Sequence, residues 1–331
     1  MVATQVFRDP LSLSSTTLHY LATVRRAILA LALIMAGVTW WPSRGGGDAS
    51  PSPFLLIIGG STSLGWQPLG ASTKRASPTD DGYQAMLVAF AALNGETFEV
   101  HNLACTGATA RGMYLPRRRL RSDNCYPPPS SQLSVALNFL KVNSTRPGIV
   151  IMDLGQNLLH QCMWTSAMSD SCFASALTDD KVYLPKVAHD VMSVAGPQVD
   201  VVGLNFYDPY VARPLTSTSV TWTQERHLHT YFTQANQFVG NAYGASHVPV
   251  VDLASAFGSD NWDPVPFGGT TIPSNAFHAS QLTWMCYSAP FGPDPHPNRA
   301  GYIVIADAIL QTLAPPWNEH PLGWANPLAP P

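Results

Sequence analysis

Residues 54–65 read Phe-Leu-Leu-Ile-Ile-Gly-Gly-Ser-Thr-Ser-Leu-Gly, an apolar run followed by two glycines and a serine. The apolar run at residues 54–58 is short and bounded by Pro53 and by two glycines, which predicts a buried parallel strand. Ser61 follows the glycines directly, so its hydroxyl is expected at the carboxyl end of the strand, where α/β proteins carry their chemistry. A hydroxyl beside backbone N–H groups is a candidate nucleophile. The same pattern is also typical of an ordinary turn followed by a helix N-cap, so other parts of the chain must decide.

Strand and helix patterns alternate along the chain after this stretch. Five strands are predicted, at residues 54–58, 97–103, 148–154, 199–206 and 248–253. Five helices are predicted, at residues 80–93, 131–142, 181–195, 224–243 and 299–313, and the segments 158–179 and 254–291 are predicted to be loops. The alternation predicts a three-layer α/β/α fold with a five-stranded parallel sheet, for which we expect a flavodoxin-like strand order.

The N-terminal part of the chain has a different composition from the rest. Residues 1–24 are polar, and residues 25–41 comprise two arginines followed by an uncharged apolar run, which is typical of a signal peptide or a short membrane anchor. A buried core helix is the alternative, but the flanking segments are polar. Residues 42–53 are predicted to be a linker, residues 54–314 the α/β domain and residues 315–331 a Pro-rich tail. We therefore expect a protein that is secreted or membrane-anchored outside the cytoplasm.

Charge and spacing exclude several function classes. Charged residues make up 12% of the 331 residues and the net charge is -3, with no basic stripe, which argues against a nucleic-acid partner. The histidines His227 and His229 are two residues apart on a predicted helix and so do not share a face. Because the sequence shows neither metal-ligand spacing nor a phosphate-binding glycine loop, we expect no cofactor and no metal.

Five cysteines fit an exported protein with local disulfide bonds. Proximity along the chain predicts the pairs Cys105–Cys125 and Cys162–Cys172, each closing a short loop and contributing roughly 2–3 kcal/mol. Cys286 is then left over and is expected to be a buried free thiol.

Three candidate turns follow three successive predicted strands, and a histidine precedes the last helix. Ser61, Gly107 in Asn-Leu-Ala-Cys-Thr-Gly and Asn157 in Gly-Gln-Asn should all lie at the carboxyl edge of the sheet. His296 lies in Asp-Pro-His-Pro-Asn, with Asp294 two residues upstream. Taken alone, Gly107 and Asn157 are more simply explained as turn or cap residues. Together, the four blocks over residues 54–313 resemble those of the SGNH hydrolases (the GDSL esterase/lipase superfamily), in particular exported bacterial members.

The resemblance implies a role for each block. Ser61 would attack an ester carbonyl, His296 would accept its proton, and Asp294 would orient the imidazole. The backbone N–H groups of Ser61 and Gly107 and the side-chain amide of Asn157 would form the oxyanion hole. The implied function is an exported serine esterase or lipase that acts on small-molecule or lipid esters, and we expect a monomer.

Three departures from the family pattern leave alternatives open. Gly60 replaces the aspartate of the usual Gly-Asp-Ser, and Leu158 replaces the last aspartate of the usual Gly-x-Asn-Asp. The family's acid is often three residues before the histidine, where this chain has Pro293, so Asp294 represents a shorter spacing. The alternatives are a catalytically decayed relative that binds lipid or glycan, and an acyltransferase that uses the same serine.

Two further features each allow two interpretations. The aromatic residues in segment 254–291 either line an apolar cleft or pack the segment onto the domain; they are Phe257, Trp262, Phe267, Phe277, Trp284, Tyr287 and Phe291. His160, close to Asn157, either lines the pocket or is solvated.

Overall fold

The computed structural model describes residues 52–68, 76–77, 79–114, 125–126, 129–164, 169–313 and 315. The predicted signal or anchor segment and nearly all of the Pro-rich tail lie outside these residues. Across the part of the chain that is described, no helix has both the length and the apolar character needed to cross a membrane.

A five-stranded parallel sheet forms the centre of the α/β domain. Numbered along the chain together with the hairpin strands, its members are β1 (Phe54–Gly59), β4 (Glu99–Asn102), β5 (Gly148–Asp153), β6 (Val199–Leu204) and β7 (Val250–Val251). They lie in the order β4-β1-β5-β6-β7, which confirms the predicted flavodoxin-like order. Two antiparallel pairs lie outside this sheet: β2 (Gln67–Pro68) with β3 (Ala76–Ser77), and β8 (Pro264–Phe267) with β9 (Thr270–Pro273).

Helices cover both faces of the sheet. They are α1 (Tyr83–Leu93), α2 (Gln132–Val142), α3 (Gln156–Trp164), α4 (Asp170–Val194), α5 (Trp222–Gly244), α6 (Leu253–Ala256), α7 (Ser274–Leu282) and α8 (Arg299–Thr312), with short 3₁₀ turns at Thr62–Leu64, Arg111–Met113 and Tyr210–Leu215.

The alternation of side chains along β1 explains the three layers. Successive side chains of a strand point to opposite faces, so Leu56 and Ile58 lie in one core, which they share with α2, α4 and α5. Leu55 and Ile57 lie in the other core, against α1 and α8. Every residue of β1 is buried, as expected for a central parallel strand. The predicted three-layer α/β/α fold is confirmed.

Two predicted loops are largely regular structure, and these predictions were wrong. Segment 158–179 contains most of α3 and the start of α4, which begins at Asp170 rather than at residue 181. The Ser169 side chain accepts a hydrogen bond from the Cys172 backbone N–H and so caps the longer helix. Segment 254–291 contains α7 and the β8–β9 pair, and the strand predicted at 248–253 is shortened to two residues because Asp252 caps α6.

Both predicted disulfides are present. Cys105 is joined to Cys125, and Cys162 at the end of α3 is joined to Cys172 in the first turn of α4. Cys286 is a free, half-buried thiol whose pKa is raised to about 11 by burial.

Candidate active site

The first block forms a tight turn at the carboxyl end of β1. The amide of buried Gln132 binds both backbone groups of Gly59, accepting at 3.0 Å and donating at 3.2 Å. Ser61 begins a 3₁₀ turn that closes at Gly65, whose φ of 65° lies in the left-handed region that favours glycine. Ser61 is 7% exposed and lies at the edge of a cleft. The turn therefore places the hydroxyl at the sheet edge, as the sequence predicts.

Ser61, His296 and Asp294 form a hydrogen-bonded series. The Ser61 Oγ lies 2.7 Å from His296 Nε2, and His296 Nδ1 lies 2.7 Å from Asp294 Oδ1. The same carboxylate oxygen accepts from the His296 backbone N–H at 2.9 Å. Burial acts to raise the pKa of Asp294, but the hydrogen bonds and charge of His296 outweigh it and lower the pKa. The carboxylate is thus held in its ionised form beside the imidazole.

The loop that carries His296 is fixed at several points. The Tyr207 hydroxyl donates to the Pro295 carbonyl at 3.0 Å, and the Trp284 backbone N–H donates to the His296 carbonyl at 3.1 Å. Asn298, two residues after the histidine, accepts from the Gly301 backbone N–H at 3.1 Å and caps α8, which begins at Arg299. These contacts define the direction of the imidazole.

The second block lies beside the first. The Cys105 backbone N–H donates to the Gly59 carbonyl at 3.0 Å, which ties the segment before Gly107 to the end of β1. Gly107 has a φ of 68°, and it lines the same cleft as Ser61. A left-handed residue without a Cβ lets the backbone approach a substrate closely at this point.

The third block starts α3 instead of forming only a turn. Asn157 lies in the first turn of this helix, and its Nδ2 donates to the Ala108 carbonyl at 2.8 Å. An amide nitrogen carries two N–H groups, so this bond uses one of them. The amide therefore connects the third block to the second.

The structure gives a steric reason for glycine at position 60. A Cβ on Gly60 would lie 2.5 Å from Asn157 Nδ2, which is inside van der Waals contact. The aspartate that the family pattern has at this position does not fit beside the present Asn157 rotamer. Leu158, at the other departure, is partly buried and packs against the hydrophobic core.

A cleft of about 460 Å³ joins the three blocks and the histidine loop. It is lined by Ser61, Thr62, Thr106, Gly107, Gln156, Asn157, His160, Gln161, Tyr207, Pro295 and His296. His160, for which the sequence allowed either a pocket-lining or a solvated position, is among the lining residues. Its Nδ1 lies 2.8 Å from Tyr210 Oη. Burial, together with the charge of His296, lowers its pKa to about 3, so the ring is neutral.

The aromatic residues of segment 254–291 contribute to packing. Phe257, for example, stacks on Tyr207 with ring centroids 4.4 Å apart, and Trp284 packs against Tyr287 at 4.5 Å. None of the seven is among the cleft-lining residues of the described structure. The packing interpretation of this segment is therefore the one that the contacts favour.

The two helical histidines do not lie together in a metal-binding arrangement. Buried His229 bonds Asp208 and Asp260 through its two ring nitrogens at 2.9 and 2.8 Å, whereas His227 is exposed beside Asp170. Within the described ranges, no group of three or more His, Cys, Asp or Glu side chains is suited to a metal ion.

Three residues near the site were missed by sequence reasoning: Asp153, Gln156 and Tyr207. Asp153 had a detectable signal, because it is a lone carboxylate at the end of an otherwise apolar buried strand. Gln156 lies next to Asn157 in the third block, so its position at this edge follows from the sequence, but its contact with Asp153 does not. Tyr207 carries no such signal, since only the fold brings it to the cleft.

Comparison with known proteins finds similarity at the level of structure. No family model matches the chain, and no curated protein is similar to it in sequence. Three solved structures are the alpha/beta hydrolase LAE5 from the metagenome of Lake Arreo in Spain, an extracellular lipase from Streptomyces rimosus, and phospholipase A1 from Streptomyces albidoflavus NA297. They are 16%, 15% and 18% identical and cover 81%, 78% and 70% of this chain and 97%, 100% and 95% of their own, with TM-scores of 0.45, 0.46 and 0.40.

Likenesses of this size assign no activity or substrate to this chain, so the conclusion about its family depends on its own strands and blocks. The sheet order is the expected one, and Ser61, Gly107, Asn157 and His296 meet at one cleft on its carboxyl edge. In strand order and in the placement of its four sequence blocks, the chain resembles the SGNH hydrolases, as the blocks themselves indicate.

Proposed function

We propose that the protein is a serine ester hydrolase that acts through an acyl-enzyme at Ser61. The observation that carries the proposal is the series from Ser61 through His296 to Asp294, with 2.7 Å on both sides of the imidazole. A serine hydroxyl is a weak nucleophile until a base within hydrogen-bond reach accepts its proton, and His296 meets that distance.

The reaction follows from these contacts. Ser61 Oγ attacks the ester carbonyl carbon while His296 Nε2 takes the hydroxyl proton, and Asp294 stabilises the imidazolium through Nδ1. The tetrahedral intermediate collapses as the C–O bond to the alcohol breaks, and His296 returns the proton to the leaving alcohol. Water then attacks the acyl-enzyme with His296 again as base, releasing the carboxylic acid and restoring Ser61.

The oxyanion of the tetrahedral intermediate needs donors aimed at it. We assign this role to the backbone N–H groups of Ser61 and Gly107 and to the second N–H of Asn157 Nδ2. Loss of one such donor typically costs about 3–4 kcal/mol of transition-state stabilisation.

The cleft and the disulfides support finer parts of the proposal. A cleft of about 460 Å³ accommodates the acyl part of a small-molecule or lipid ester. Two disulfides are typical of proteins that fold in an oxidising compartment, which supports an exported enzyme. The complete Ser–His–Asp series supports catalysis over the alternative of a decayed lipid- or glycan-binding relative.

The test is hydrolysis of p-nitrophenyl acetate, butyrate and palmitate by the protein and by Ser61→Ala and His296→Ala. Exposed Ser193→Ala and His227→Ala serve as matched controls. We expect turnover in the wild type and both controls and its loss in both site variants, with the preferred chain length distinguishing an esterase from a lipase. Absence of turnover on every ester, or turnover that survives Ser61→Ala, would refute the proposal.

A further inference from the structure

A buried carboxylate lies directly beneath the nucleophile turn. Asp153 ends β5, pairs in register with Gly59 of β1, and is 1% exposed. It is the one ionisable side chain in these two strands, whose other residues are apolar or glycine. A buried charge of this kind persists only where hydrogen bonds satisfy it.

The two oxygens of Asp153 bind two different blocks of the site. Ser63, two residues after the nucleophile, donates its hydroxyl to Oδ2 at 2.8 Å. Gln156, the residue before Asn157, donates its amide to Oδ1 at 2.9 Å. The carboxylate therefore connects the turn that carries Ser61 to the helix that carries Asn157.

The glycine that ends β1 makes this connection possible. A Cβ on Gly59 would lie 2.4 Å from Ser63 Oγ and 2.9 Å from Asp153 Cβ. Any larger residue there would separate the two partners.

The groups around Asp153 have one consistent assignment of hydrogen-bond donors and acceptors. A carboxylate is an acceptor only, so it fixes the Gln156 amide with its nitrogen inward, where it also lies 3.4 Å from Thr62 Oγ1. Gln156 Oε1 then faces His160 Nε2 at 3.3 Å and requires a proton on that nitrogen, which leaves Nδ1 to accept from Tyr210. On the other side, the Tyr83 hydroxyl donates to Ser63 Oγ at 2.8 Å.

The Gln156 amide also reaches Thr62 directly, but at 3.4 Å this is a longer contact than either bond to Asp153. Three other residues near the two turns do not make the connection. Gly60 has no side chain and no room for one, and Leu158 packs into the apolar core. Asp180 is a second buried carboxyl near Gly155, but neither of its oxygens has a hydrogen-bond partner among the described residues.

We propose that Asp153 is a positioning residue of the Ser61–His296 site, which holds the nucleophile turn and the oxyanion helix in register through Ser63 and Gln156. This inference rests on the proposed function. Asp153 is not among the residues that line the cleft, so it acts through the residues it binds.

Asp153→Asn is the main test, because the amide keeps the shape of the carboxylate and should preserve the fold. An amide cannot accept at both positions, so the Ser63 and Gln156 contacts can no longer be made together in the same form. We expect kcat for p-nitrophenyl butyrate to fall about 10-fold or more, with KM within about twofold, because misplacement near 1 Å can cost 100-fold. The kcat of Asp153→Ala should fall further, since this substitution removes both contacts.

Two further variants separate positioning from a general effect of a buried charge. Ser63→Ala should reduce kcat in the wild-type background but much less in the Asp153→Asn background, because both changes break the same contact. Asp180→Asn is the matched control: burial raises the pKa of Asp180 to about 8, so it is already mostly neutral near pH 7 and its kcat should stay within about twofold of wild type.

The outcomes distinguish this inference from the proposed function. Turnover that depends on Ser61, with Asp153→Asn equal to wild type or with additive Ser63 and Asp153 effects, would overturn the positioning role alone. Turnover that survives Ser61→Ala would overturn the proposed function, and the positioning role with it.

Discussion

Gly60→Ala adds a single methyl group next to the proposed nucleophile, and the structure predicts where it collides. The new Cβ would lie 2.5 Å from Asn157 Nδ2 and 3.6 Å from Asn157 Cγ. Gly60 is not among the glycines with positive φ, so alanine meets no backbone strain there. The amide nitrogen must move by about 1 Å to reach an ordinary contact near 3.5 Å.

This displacement should affect the rate more than binding or folding. An oxyanion donor works at about 2.7–3.1 Å, so a shift of about 1 Å removes most of its contribution. We expect kcat to fall roughly 100- to 1000-fold, equivalent to about 3–4 kcal/mol, with KM little changed. The assay is steady-state hydrolysis of p-nitrophenyl butyrate, with circular dichroism and thermal unfolding as checks of the fold.

A double-mutant cycle tests the cause. Asn157→Ala removes the amide, so Gly60→Ala should cost almost nothing in that background, and the two losses should be strongly non-additive. For the same reason Gly60→Asp, which restores the family's usual residue, should slow the enzyme. Additive losses, or a Gly60→Ala protein with wild-type kcat, would show that the substitution does not act through the Asn157 amide.

Three other predictions concern pH, the acid of the triad and a disulfide. Burial raises the pKa of Asp153 to about 6, so the folded state binds the carboxyl proton more tightly than the unfolded chain does. Proton binding therefore adds about 3 kcal/mol to the free energy of unfolding below pH ~4, and this contribution is lost as the pH rises through about 6. In urea unfolding, the free energy of unfolding of Asp153→Asn relative to that of wild type should therefore increase between pH 4 and pH 8. An equal difference at both pH values would contradict this. Asp294→Asn should lower kcat about 1000- to 10,000-fold at constant fold, by loss of the correct imidazole tautomer; retention of more than about a tenth of wild-type kcat would count against the assigned role. Replacing Cys162 and Cys172 together by alanine should lower the free energy of unfolding by about 3 kcal/mol, and an unchanged urea midpoint would show that the cross-link contributes little.

The sequence predicts the sheet and the placement of the four blocks well, because these depend on local patterns. The apolar run at residues 54–58 and its glycines are sufficient to place Ser61 at the carboxyl end of a strand. Since the carboxyl ends of parallel strands meet at one edge, the blocks that follow three strands had to converge. The last block needed only the start of α8, which Asn298 caps.

The structural features that the sequence did not predict depend on contacts between distant residues. Segment 158–179 contains two cysteines and several polar residues, which favour a loop, yet a disulfide and the Ser169 cap hold two helices there. The contact between Asp153 and Ser63 depends on the register of β5 with β1, and the collision at Gly60 depends on the rotamer of Asn157. Neither the Asp153–Ser63 contact nor the steric limit at Gly60 can be recognised from a local sequence pattern.

The proposed nucleophile Ser61 is tested most simply by the mass of the intact protein after treatment with a fluorophosphonate. We expect one covalent adduct per chain, located on the peptide that contains Ser61 and absent from Ser61→Ala. We also expect His296→Ala to react far more slowly, because the serine hydroxyl then lacks its base. An unlabelled wild-type protein, or an adduct on another residue that persists in Ser61→Ala, would contradict the assignment of Ser61 as the nucleophile.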